Sequence, residues 1–405
     1  MRNRLLDRLL GRSVRASGAV ALAVSCMLVI STGQSAQAQT YRVLFQFRAG
    51  LGGAGPNAGL VSDPEGNLYG TTPSDGAFAS GVVFKLSPAG KESVLHSFTG
   101  SGGDGEYPLA GLVRDAAGNL YGTTYAGGIY GGVCGSSGCG TVFKVDKNGK
   151  ETTLHDFAGT PDGWVPYAGL AREAAGNLYG MTLNGGAYSS GALIKIDKNG
   201  NESVLYSFGG DGQGPNNPYG GLTRDAAGNL YGTTGMGGTF FSGTVFKLDT
   251  TGAFTVLHNF DTQNGDGYFP AGNLVRDAAG NLYGTTEFGG TSGSGTVFKV
   301  DKNGNETVLH NFAGGTADGG LPFLSGLLRD AKGNLYGVTG EGGASSFGTV
   351  YKLDPAGKET ILHSFNGKDG KIPYGTLIMD KQGNLFGTTS AGGAHGAGVV
   401  FEMTP

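Results

Sequence analysis

Gly118-Asn119-Leu120-Tyr121-Gly122-Thr123-Thr124 decides the fold, because this phrase or a near copy starts at Gly66, Gly118, Gly176, Gly228, Gly280, Gly333 and Gly383. Successive copies are 52, 58, 52, 52, 53 and 50 residues apart. Leucine-rich and ankyrin repeats are much shorter, whereas a four-stranded propeller blade needs about this length. The chain is one unit repeated.

Working outward, Ala110-Gly111-Leu112-Val113-Arg114-Asp115 reads as a first strand, and Ala116-Ala117-Gly118 turns it into Asn119–Thr124 as the second. Gly supplies the positive φ of a tight hairpin, and Asp and Asn side chains bond back to turn amides. Gly140–Asp146 is the third strand, and Lys147-Asn148-Gly149 leads into Glu151–Phe157 as the fourth. Asn-Gly between two apolar alternating runs is a strong hairpin signal. Strands one and three are apolar on both faces, as expected of a sheet sandwiched between two others.

The third-strand phrase occurs at Gly81, Gly140, Gly191, Gly243, Gly295, Gly348 and Gly398, whereas the fourth ends only at Phe98, Phe157, Phe208, Phe260, Phe312 and Phe365. The missing copy stands first in the chain, since Tyr41–Phe47 matches Glu92–Phe98. An N-terminal strand that completes the last blade ties the ends together and removes open sheet edges. The expected fold is an all-β, seven-bladed propeller of four-stranded antiparallel blades, a single domain over 39–405.

Of the 405 residues 81 are Gly, but they recur at turn positions without a Gly-X-Y period, which excludes collagen and argues against disorder. Residues 1–38 read as a secretory signal peptide: Arg2, Arg4, Arg8, Arg12 and Arg15 precede an apolar stretch from Ala16 to Ile30, then Ala36-Gln37-Ala38 offers a cleavage site. A retained signal anchor and a lipidated Cys26 are weaker readings of the same segment. Without it the chain holds 23 basic and 31 acidic residues, a net charge of −8. That charge disfavours nucleic acid as a partner. No second apolar run reaches membrane-spanning length, and a monomer exported to the periplasm or beyond is expected. Cys134 and Cys139 lie in the insertion that lengthens the second spacing to 58, and a disulfide there is the expected pairing in an oxidising compartment.

The string Asp115-Ala116-Ala117-Gly118-Asn119-Leu120-Tyr121 is similar to the Asp-x-x-Gly-Asn-Leu-Tyr of NHL-type and gluconolactonase-type propellers. The fuller unit, with Gly-Gly before Gly-Thr-Val-Phe-Lys and then Val-Leu-His-x-Phe, resembles the GloVer (Gloeo-Verruco) tandem repeat of exported bacterial proteins. The resemblance covers essentially all of 41–405. It implies that the first strand lies nearest the axis, and that the loops joining blades share a face with the second-to-third-strand loops. Gluconolactonase-like enzymes place acidic and amide ligands around an axial metal. The matching inner-strand starts here are mostly Ala-Gly, and only Asn273 and Thr376 add other chemistry. Such proteins carry assorted anchors, and no C-terminal anchor is expected from Phe401-Glu402-Met403-Thr404-Pro405.

Candidate ligand-binding residues come from the loops joining the blades. Asp104, Asp162, Asp266, Asp318 and Asp369 each start an Asp-Gly turn that runs to a Pro, Asp211 begins a looser sixth, and Gly52 replaces the Asp in the first unit. Turn chemistry alone explains Asp-Gly. The functional alternative is a ring of carboxylates around a pore mouth, with Tyr107, Trp164 and Tyr268 stacking on sugar rings. Arg114, Arg172, Arg224, Arg276 and Arg329 each precede Asp or Glu, which favours pairing between blades over an anion channel. His96, His155, His258, His310 and His363 share a slot that accepts Phe45 and Tyr206, so packing is favoured over metal. The recurrent Lys of the third strand reads as a solvated edge or a cross-strand partner of Glu.

No catalytic residue, metal site or cofactor is assigned; calcium on the Asp-Gly loops rests on nothing beyond the carboxylates themselves. The leading expectation is an exported, non-enzymatic propeller that binds an extracellular glycan or protein through its loop-rich face. A metal-dependent propeller lyase or lactonase and a structural or adhesive cell-envelope module stand as alternatives.

Overall fold

The second strand of each blade carries a glycine because the third strand lays a side chain across it. In the computed structural model, which describes residues 39–129, 132–210 and 214–405, a Cβ on Gly122 would sit 2.6 Å from the ring of its cross-strand partner Phe143. Phe84, Phe246, Phe298, Tyr351 and Phe401 lie in the same way over Gly70, Gly232, Gly284, Gly337 and Gly387, and all six rings are 1% exposed or less. Ile194 takes this place in the third blade. Full burial of such a side chain stabilises by about 1.5–3 kcal/mol. The leader at 1–38 and Asp211 lie outside the described residues.

Seven four-stranded antiparallel sheets result. In the second blade Val113–Arg114, Leu120–Thr124, Thr141–Val145 and Glu151–Asp156 pair in chain order. Asp115 fixes the first hairpin: it accepts from Asn119 N and Nδ2, both at 2.8 Å, and from the Tyr121 hydroxyl at 3.0 Å, around Gly118 at φ 89°. Arg172 of the next blade sits over the Tyr121 ring at 5.4 Å and 3.9 Å from Asp115. Arg224 meets Glu173 of its preceding blade at 3.1 Å, so the expected pairing with a carboxylate between blades holds for Arg172 and Arg224, whereas Arg114, Arg276 and Arg329 lie over the rings of Tyr69, Tyr231 and Tyr283. Lys144 faces Tyr121 rather than a Glu.

The chain ends close the ring. Thr40–Gln46 pairs with Val399–Thr404 as the outermost strand of the seventh blade, and Phe47 N donates to Gly398 O as Phe98 N does to Gly81 O. The fold is a seven-bladed propeller.

The inner strand is shorter than expected, with only Val113–Arg114 paired, and the strands buried along their length are the second and third rather than the first and third. Crowding at the axis explains both. Ala110-Gly111-Leu112 runs along the axis against neighbouring blades, so that a Cβ on Gly111 would lie 3.3 Å from Gly59 O and one on Gly169 3.2 Å from Gly111 O. Second-strand threonines satisfy the axial carbonyls across each seam: Thr71 Oγ1 donates to Ala110 O at 2.9 Å and Thr388 Oγ1 to Ala58 O at 2.8 Å.

Candidate functional site

The loops joining blades and the loops after the second strand share one face, because they pair directly: Gly105–Glu106 with Ala126–Gly127, and Gly163–Trp164 with Asn184–Gly185. Each recurrent aspartate here clasps its own loop and the outer strand behind it. Asp104 accepts from Thr99 N and Gly105 N, both at 2.8 Å, and lies 3.3 Å from His96 Nε2. Asp162 meets His155, Asp266 meets His258 and Asp369 meets His363 at 3.1–3.2 Å, while Asp318 lies 3.7 Å from His310. Burial opposes ionisation of Asp104, but His96 and the two backbone N–H groups outweigh it and hold the carboxyl below its ordinary range.

A fourth-strand Glu of the following blade approaches several of these pairs. One ligand atom each from His96, Asp104 and Glu151, and from His310, Asp318 and Glu359, lies within 4.8 Å of the others, and these are the groups of three His, Cys, Asp or Glu among the described residues. Burial and the charge of Asp318 push Glu359 up to about 8. Because histidine belongs to the outermost strand, the five aspartates stand at five separate seams on the outer rim and are not brought together at the axis.

The candidate aromatics differ among themselves. Tyr107 and Tyr268 are about two-fifths exposed, the second stacked on Phe288 with centroids 5.2 Å apart. Trp164 is half-buried against the cluster that holds Cys139, Val142 and Phe157, beside Cys134, which is bonded to Cys139.

A different aromatic group gathers at the axis. Tyr167, Tyr219, Phe323 and Tyr374 directly follow the loop prolines Pro166, Pro218, Pro322 and Pro373, so they stand where the loop-rich face turns down into the channel. With Tyr125 and Phe269 they form an unbroken chain of ring contacts, centroids 6.3, 5.5, 5.1, 6.4 and 5.8 Å apart, running from the second blade to the seventh. Below Tyr167 and Tyr219 lies an axial cavity of about 240 Å³ walled by Ala58, Gly59, Ala110, Gly111, Ala168 and Gly169. Asn273 and Thr376 also line it; Asn273 Oδ1 accepts from Gly221 N at 2.5 Å.

Glu287 holds in the fifth blade the position that Tyr125 holds in the second, and this position faces the collar: a Cβ on Gly235 or Gly340, its counterparts, would meet Tyr219 and Phe269 at 3.1 Å or Tyr374 at 3.2 Å. Burial pushes its carboxyl up to about 7, and no hydrogen bond or ion pair satisfies that side chain among the described residues. Burial first, then the neighbouring tyrosines and Glu287, pushes the Tyr167 phenol up to about 12.

The polar side chains that line the channel are the amides of Asn57 and Asn273 and the hydroxyls of Thr376, Tyr167 and Tyr219, with no carboxylate among them, so the lining does not fit the acidic ligands that help hold an axial metal. The channel suits a ligand that stacks and hydrogen-bonds. Sequence reasoning missed this collar, although an aromatic directly after the loop proline in four units was a readable signal. The His–Asp pairing was also readable: the unit with Phe45 in place of His has Gly52 in place of Asp.

Comparison with solved structures gives the same fold. Virginiamycin B lyase from Staphylococcus aureus matches with a TM-score of 0.58 at 12% identity, over 91% of this chain and 99% of that one. The extracellular domains of a putative hybrid two-component system and of a putative one-component system from B. thetaiotaomicron match with TM-scores of 0.55 and 0.54, at 13% and 12% identity, over 90% and 87% of this chain. The match covers 41% and 39% of those longer chains. No curated protein matches the sequence. No helix among the described residues is long and apolar enough to cross a membrane. The model of the Gloeobacter/Verrucomicrobia repeat matches residues 33–134, 130–328 and 321–405, and the chain belongs to that repeat family.

Proposed function

We propose that the protein is an exported, non-enzymatic binding module that takes an extracellular saccharide in its axial cavity. The observation that carries this reading is the chain of six aromatic rings at the channel mouth above a floor that holds Asn273 and Thr376. Aromatic faces stack on the C–H faces of sugar rings, and a few placed polar groups set their orientation. At about 240 Å³ the cavity is smaller than a drug-sized pocket and suits the end of a sugar chain rather than its length. Tyr107 and Tyr268 extend the contact surface outward in this reading. Export is supported by the leader at 1–38 and by the Cys134–Cys139 disulfide.

An oligosaccharide array probed with residues 39–405 tests it, followed by titration of Tyr167→Ala, Tyr219→Ala and Trp164→Ala. Binding weakened by roughly ten-fold or more in the two tyrosine variants, and retained in Trp164→Ala, is the expected result. Binding lost only in Trp164→Ala moves the site to the outer loops; no binding to any saccharide overturns the proposal.

A further inference from the structure

Glu287 is out of keeping with its surroundings. The positions that follow the second strand in the other blades are Pro73, Tyr125, Leu183, Gly235, Gly340 and Ser390, all uncharged, and only the fifth blade puts a carboxylate there. It stands among rings, with Phe269 O taking its backbone N–H at 3.1 Å. The recurrent arginines are committed elsewhere, over the tyrosines at the seams between blades. Glu287 is half-buried, and a carboxylate that loses part of its hydration among rings gains from a cation brought beside it. Tyrosine and phenylalanine faces attract cations as well as sugars.

We propose that the saccharide held at the axis carries an ammonium group, as a glucosamine-type unit does, and that Glu287 is the residue that pairs with it while the collar stacks on the ring. This rests on the axial saccharide reading above. The shift of the free carboxyl towards neutrality agrees with a group whose partner arrives with the ligand. Sugar specificity then follows from charge: a neutral ring gains stacking alone, and an N-acetylated ring of the same shape gains no ion pair.

Titration calorimetry with a glucosamine tetramer and with cellotetraose, on the wild type and on Glu287→Gln, separates the two levels. The expected result is a roughly ten-fold or greater preference of the wild type for the amino sugar, with that preference lost in Glu287→Gln and cellotetraose binding unchanged. Equal affinity for both sugars in the wild type overturns the assignment of Glu287 and leaves the saccharide site standing. An amino-sugar preference that survives in Glu287→Gln also overturns it, since the net charge of −8 over 39–405 then accounts for the effect. Failure of both sugars to bind overturns the inference alone, and the reading on which it rests falls with it only if the oligosaccharide array is also blank.

Discussion

Tyr206 lies flat on Phe254 of the next blade, centroids 3.8 Å apart and planes 4° from parallel, at the seam position where two other blades set a histidine against a glutamate. Elsewhere His96 approaches Glu151, and His310 approaches Glu359. Polar has been exchanged for aromatic on both sides of one seam at once, which conserves contact between blades. His363 lies flat on Tyr41 in the same way, centroids 3.8 Å apart, so Tyr206→His is expected to keep a smaller stack on Phe254 and to lower stability by only about 1 kcal/mol. Adding Phe254→Glu should recover part of this loss, with a coupling of roughly 1 kcal/mol in a denaturant double-mutant cycle. Additive losses would show that the two sides act independently.

Alanine at the second-strand glycines should read out the ring above each one. In Gly122→Ala the added methyl meets Phe143 at 2.6 Å, and the overpacking cost is about 1–3 kcal/mol in thermal or denaturant unfolding. Gly180→Ala should be milder, because Ile194 lies 4.0 Å away and the close atom is the end of Leu170.

The seam carboxyls set a pH dependence. Burial and Asp318 hold the Glu359 carboxyl at about 8 in the folded protein. Its unfolded value is about 4.3. A group raised in this way adds stability that is fully present below the unfolded value and is lost as pH rises through the folded one. Glu306 and Glu92, both pushed by burial to about 7, act in the same direction. Glu359→Gln, which cannot ionise, should therefore lose less stability than the wild type between pH 5 and 8. Identical slopes would remove Glu359 from the balance.

Breaking the Cys134–Cys139 bond should cost little, because it closes a loop with a sequence separation of 5. Chain entropy for so short a loop gives about 2 kcal/mol. Cys134→Ser with Cys139→Ser is expected to unfold at slightly lower denaturant with an unchanged slope, and to keep any saccharide binding.

Most of the architecture was legible in the sequence because it is local and repeated. The Asp115–Asn119–Tyr121 hairpin, the Gly122–Phe143 fit and the match of Tyr41–Phe47 to Glu92–Phe98 each depend on near neighbours or on copies of one phrase. The axial collar is of another kind. Tyr125 and Tyr374 reach one mouth only because seven blades converge there, and Glu287 joins them from the fifth blade's copy of the position that Tyr125 holds in the second. The rim aspartates stood out for the opposite reason. Repetition made them conspicuous, and Asp104 and Asp162 each accept from their own loop N–H groups and lie beside a histidine.

A crystal structure of residues 39–405 with an array-positive oligosaccharide bound tests the axial site most directly. A terminal sugar ring seated in the cavity against Tyr167 and Tyr219, with polar contacts to Asn273 or Thr376, is the predicted result. A sugar held at the outer loops beside Tyr107, Trp164 or Tyr268, with no sugar in the axial channel, would contradict it.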